Sequence, residues 1–161
     1  MQPTFRALRA LALEAAVLAG LASTALAQPA SQTGDTHDTL YTRYRARLTP
    51  VPVEASTAAS ITGSGLVTAT VTGTRLSLSG TFAGMKSPAT IAQVHFGLKG
   101  VRGPVEFDLT IEKAPSGAIS GSATLTKGQL DSLRKGWFYI QIHAEKAPDG
   151  NLWGWLLPAA P

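Results

Sequence analysis

Gln93-Val94-His95 and Gln141-Ile142-His143 repeat one pattern, an amide and an imidazole two residues apart, within runs that read as strands. Side chains two apart on a strand share a face, so each pair presents its amide and its ring together. A neutral imidazole nitrogen ligates copper or zinc. Two such strands side by side would aim His95 and His143 at one ion, with Glu145 as a third ligand. The donor set is thin, because a closed zinc site takes four ligands and an open one takes three plus water. His37, the remaining histidine, is flanked by Asp35 and Asp38 in a polar leader. The competing expectation is a polar sheet face on which both rings hydrogen-bond to Gln93, Gln141 or Tyr139.

Trp153 and Trp155 share one face of the last strand-like run. Such a pair serves either as an aromatic platform for a ligand or as cover for a sheet. With Gln93, Gln141 and Tyr139 they form the candidate ligand-binding set. Gly97, Gly100 and Gly103 fall at every third position ahead of Pro104. Phosphate loops lead into a helix N-terminus, whereas this run leads into a strand, so a compact loop is expected and not a nucleotide site. Ser64 and Ser79 sit beside glycines but lack the strand, elbow and helix that expose a serine nucleophile. Glu106 and Asp108 align on one strand face, where solvated acids facing a row of arginines account for them. No catalytic residue is proposed.

The elements that must position these groups alternate with period two. In residues 40–48, Tyr44, Ala46 and Leu48 fall on one face and Arg43, Arg45 and Arg47 on the other, as in a half-buried strand. The arginine row reads as a solvated face guarding against edge pairing, with attachment to an anionic envelope component as the alternative. Pro50 and Pro52 end that strand. Residues 65–71 and 75–85 read as a hairpin about Gly73, and 90–98, 104–113, 117–125 and 137–145 as further strands. A tight turn is expected at 147–150, before a closing strand over 151–157. Only 126–136 has a helical pattern, with Thr126 as N-cap, Leu130 and Leu133 three apart, and Gly136 as the stop. The expected architecture is all-β, an antiparallel β-sandwich or barrel of about eight strands with one short helix.

Residues 1–27 read as a signal peptide. Arg6 and Arg9 precede an apolar stretch that ends in Ala25-Leu26-Ala27, a small-x-small cleavage pattern. The stretch contains Glu14 and is short for a bilayer span of about 20 apolar residues, so no transmembrane segment is expected after cleavage. Residues 28–40 read as a flexible leader and 41–158 as one domain. The formal charge of +4 falls to +3 without Arg6, Arg9 and Glu14, too small an excess for a nucleic-acid footprint. With no cysteine in the chain, disulfides and thiolate metal sites are excluded.

The runs "YRARLTPVPVEAS", "AQVHFGLKGVRGPVEFDL" and "ATLTKGQLDSLRKGWFYIQIHAEKAPDGNLWGWL" resemble the CHRD (chordin) domain family over about residues 41–157. The resemblance rests on an ordered series: a histidine strand, a glycine loop ending in Gly-Pro, a Leu-x-x-Leu-x-x-Gly helix, a Tyr-x-x-x-His strand and a Pro-x-Gly turn. It implies a Greek-key sandwich similar to that of copper-zinc superoxide dismutase, in a periplasmic or secreted protein. With no catalytic arrangement among the residues, the expected role is a non-enzymatic binding or structural one toward an unidentified protein or envelope component. The family pattern has His-x-His where this chain has Gln93, and a basic residue where it has Trp153, while His95 and His143 match. Dismutase chemistry therefore lacks its histidine set here, and copper or zinc binding at His95 and His143 stands as the alternative function.

Overall fold

The structure, a computed structural model, describes residues 41–159. The expected signal peptide and leader, residues 1–40, lie outside them. β1 (Tyr41–Pro50) buries Tyr44, Ala46 and Leu48 and exposes Arg43, Arg45 and Arg47, as the alternation requires. β2 (Ser64–Thr72) and β3 (Arg75–Ala83) pair from Thr72↔Arg75 onward. Gly73, at φ +60°, begins the two-residue turn between them. β4 (Ala89–Phe96), β5 (Val105–Ile111) and β6 (Gly117–Thr124) follow as an antiparallel series.

α1 (Lys127–Arg134) begins at Thr126, whose hydroxyl accepts from the Gln129 amide while the Gln129 side chain accepts from the Thr126 amide. This capping box satisfies two otherwise unpaired helix-start donors. Leu130 and Leu133 are the face that it buries, and Gly136, at φ +71°, carries the chain out of the helix.

β7 (Phe138–Ala144), β8 (Ala147–Trp155) and the two-residue β9 (Leu157–Pro158) complete nine antiparallel strands. Their order is β2-β3-β6-β5-β4-β7-β8-β1-β9, and an added β1–β2 pairing closes the sheet on itself. Two strands make the corners. β1 pairs with β2 over residues 41–48 and with β8 at Thr49 and Pro50, and β5 pairs first with β4 and then, at Thr110 and Ile111, with β6. Among the described residues the all-β class and the single short helix are as expected, and the sheet is closed and barrel-like, the alternative that the strand pattern left open, where the family resemblance implied a sandwich.

Closure leaves one continuous core on the inner faces, around Leu48, Val67, Leu76, Val94, Ile140 and Leu152. The expected turn at 147–150 is displaced. The chain turns at Glu145 and Lys146, Ala144 pairs with Ala147, and Ala147-Pro148-Asp149-Gly150 opens β8. The register shifts between Ile142 and Ala144, and Gly150 lies at φ +128°. Such an irregularity lets Pro148 enter a strand without donating to the ladder.

Candidate functional site

The two Gln-x-His strands are neighbours, β4 beside β7, with Gln93 opposite Gln141 and His95 opposite Tyr139. Antiparallel pairing of glutamine with glutamine sends the histidines to opposite diagonal corners, four residue steps apart, or roughly 13 Å along the strands. His143 stands toward the β7–β8 turn, and the exposed Glu145 two residues further still from His95. No group of three or more His, Cys, Asp and Glu side chains able to hold a metal occurs among the described residues.

His95 and Tyr139 point away from the core by alternation, yet they are only 7% and 0% exposed, and their outward neighbours Gln141 and Trp155 are 3% and 9% exposed. The cover is the 97–104 loop. It folds back because the Gly97 amide donates to the Trp137 carbonyl at 2.7 Å and the Phe96 amide to the Pro104 carbonyl at 3.0 Å. Gly103 is the pivot, with its amide donating to the Tyr139 hydroxyl at 3.0 Å and its carbonyl accepting from His95 Nδ1 at 3.0 Å. A side chain there would meet the Phe96 carbonyl oxygen, so the loop closes this tightly only with glycine.

Beneath the loop four rings form one aromatic layer. His95 stacks on Tyr139 at 4.9 Å and 14°, Tyr139 contacts Trp155 at 5.0 Å, and Trp155 meets Trp153 at 4.8 Å and 66°. Trp155 Nε1 donates to the Gly97 carbonyl at 3.1 Å, tying the far side of the layer to the same loop. Gln141 Nε2 and Arg102 Nη1 both donate to the Asp149 carbonyl, at 2.9 and 2.8 Å. Gln93 is spent on Asp108, to which its Nε2 donates at 2.8 Å.

Since a carbonyl only accepts, both imidazoles are fixed as Nδ1–H tautomers, His95 toward Gly103 and His143 toward Pro148 at 2.6 Å. Each therefore holds its Nε2 lone pair in reserve, and both Nε2 atoms are enclosed and unpartnered. Burial first of all lowers the His95 pKa, the bond to the Gly103 carbonyl opposes this, and the charges of His143 and Arg102 lower it further.

Around the corner from this layer the tryptophans meet the arginines. Thr49 of β1 pairs with Trp153 of β8, and Arg45 pairs with Leu157 of β9. Arg45, Arg47, Thr49, Trp153, Trp155 and Lys99 line an open groove of ≈ 690 Å³. None of the described residues lining it is acidic. The expected partners of the arginine row lie elsewhere. β5 stands between β4 and β6, away from β1, and Glu106 accepts from Gln129 Nε2 at 2.7 Å. Arg102 and Lys99 were not singled out in the sequence, and Gly103 was read only as one of three glycines marking a compact loop.

The arrangement defines a closed all-β module whose distinctive side chains lie outside the barrel, between the sheet and one overlying loop. The model of the CHRD domain matches residues 44–156, and the chain belongs to that family. No curated protein and no solved structure matches it. No helix among the described residues is long and apolar enough to cross a membrane.

Proposed function

We propose that this CHRD-domain chain is an exported, non-catalytic binding module, periplasmic or secreted, that meets a protein or envelope component through the tryptophan–arginine groove. Its closed sheet, cornered at β1 and β5, is read as a flattened Greek-key sandwich of the superoxide-dismutase type. One observation carries the reading: two rows that the sequence sets a hundred residues apart, Arg45 and Arg47 with Trp153 and Trp155, line one open groove. Tyr139, Gln141 and Gln93 serve behind it, bracing the loop and strands.

A photo-crosslinker at Thr49 in the groove, compared with one at the exposed Ser77 on β3, tests this in the native host. A discrete adduct from Thr49 that Trp153→Ala abolishes supports the surface. Equal adducts from both positions would show that the groove is not the contact. The export half fails if protein purified from the host still begins at Met1.

A second reading, copper or zinc at His95 and His143, has the two enclosed, unpartnered Nε2 atoms in its favour. Backbone carbonyls on Nδ1 are also what orients ligating histidines. The four-residue offset of His95 and His143 along the strands and the nearby Arg102 charge weigh against a shared ion, and no third ligand group accompanies the two rings among the described residues. Thermal unfolding with each metal decides it. An ion bound to the folded protein adds about 2.7 kcal/mol at a hundredfold excess over its dissociation constant. The effect should vanish in His95→Gln/His143→Gln. An unmoved midpoint, or an equal rise in that variant, ends the metal reading.

A further inference from the structure

We propose that the groove takes an acidic sugar chain, a glycan whose rings carry carboxylate or sulfate groups. The inference rests on the groove being the contact surface and adds the chemistry of what fills it.

Charge is the first argument. Arg45, Arg47 and Lys99 converge on the groove from β1 and the 97–104 loop, and all three are exposed. The one carboxylate ion pair between described residues, Arg134 with Asp131, lies on α1. The groove cations are thus left without an acid among the described residues, and the net excess, +4 for the whole sequence and +3 without residues 1–27, makes no overall repulsion of an anion. Arg45 and Arg47, two apart on one strand face, are spaced about 7 Å, so each guanidinium fork can take a separate carboxylate or sulfate.

The aromatic wall is the second. Trp155 is locked by its bond to the Gly97 carbonyl and by Tyr139 behind it, while Trp153 is half-buried and meets Trp155 nearly edge-on. Rigid indoles cost little further ordering on binding. Trp155 is only 9% exposed and backs the wall, so it is the half-buried Trp153 that offers an apolar, weakly negative face suited to the C–H face of a sugar ring. A ring with one apolar face and an anionic substituent matches an indole flanked by guanidinium groups. The groove is open at the surface, and ≈ 690 Å³ falls within the range of ligand-holding clefts.

Backbone pairing separates this ligand from an acidic peptide. Peptides that dock on sheets commonly add as a strand to a free edge. Here β1 is flanked by β2 on one side and by β8 and β9 on the other, and β8 lies between β7 and β1. On the groove side β1 lacks a ladder partner only over residues 46–48, between its pairings with β9 and β8, a gap too short for an added strand, so rings and charges are the main means of recognition.

The test follows tryptophan fluorescence of the purified protein during titration with oligogalacturonate, a neutral oligosaccharide of equal length, poly-glutamate, and vesicles containing phosphatidylglycerol. Saturable quenching by oligogalacturonate, weakened by added salt and about tenfold by Arg47→Gln, with little response to the neutral chain, supports the proposal. Equal binding of the neutral sugar would show that the cations take no part, and overturn it. Binding of poly-glutamate or vesicles without oligogalacturonate overturns the sugar assignment but leaves the groove as the contact surface. No binding of any probe also overturns the sugar assignment, while crosslinking at Thr49 independently decides whether the surface itself stands.

Discussion

Tyr139→Ala lowers the free energy of unfolding by about 3–5 kcal/mol, the range for removing a fully buried aromatic side chain. Tyr139 is 0% exposed although it points away from the barrel interior. Its ring lies between His95 and Trp155 and contacts Trp153, so truncation opens a cavity shared by every ring of the outer layer. Its hydroxyl also accepts the Gly103 amide. Tyr139→Phe keeps the ring and leaves only that amide unpaired, and is expected to cost about 1–2 kcal/mol. Denaturant unfolding of the two variants separates packing from hydrogen bonding, since the midpoint should fall much further for alanine at a similar slope. Near-equal losses would mean that the outer rings contribute no packing, and that the layer is decoration on a fold held from inside.

That outer layer is where sequence reasoning stopped. Alternation in 40–48 and 137–145 identifies the inward faces, because Tyr44, Ala46, Leu48, Phe138, Ile140 and Ile142 are apolar and two apart. It tells which side a residue takes, and nothing about what lies over that side. His95, Gln141 and Tyr139 therefore read as a polar exterior, whereas backbone groups of Gly103 and Asp149 cover them and bond to His95 Nδ1, the Tyr139 hydroxyl and the Gln141 amide. The helix was legible through Thr126, Leu130 and Gly136 because its signals are local. Strand neighbours are not local. Glu106 and Asp108 were matched to the arginine row, but the order of strands gives them Gln129 and Gln93 instead. The paired glutamines were visible as a repeat, yet only the antiparallel register shows that aligning them sets the two histidines four residue steps apart along the strands. Likewise the arginine and tryptophan faces were each legible, and their meeting at Thr49 opposite Trp153 was not.

Gly103→Ala should lift the loop and, with it, the pH response of the fold. The new methyl group would collide with the Phe96 carbonyl oxygen, a backbone atom that cannot swing aside. Displacing the loop forfeits the bonds to both His95 and Tyr139 and admits water to the ring layer, an expected loss of about 2–4 kcal/mol from two hydrogen bonds and partial exposure of an aromatic contact. In the native protein the His95 pKa lies below its ordinary 6.5, chiefly through burial. A proton therefore binds the unfolded chain more readily than the folded one. The stability that His95 contributes is complete above about pH 6.5 and declines as pH falls through that value toward the lower folded pKa. In Gly103→Ala the ring is solvated in both states, so this acid-side decline should flatten while the protein is weaker at every pH. Imidazole resonances followed by NMR should show His95 titrating nearer its ordinary value in the variant. A His95 titration unchanged by Gly103→Ala, in a variant that is destabilised as expected, would mean that something other than the 97–104 loop keeps water from the ring.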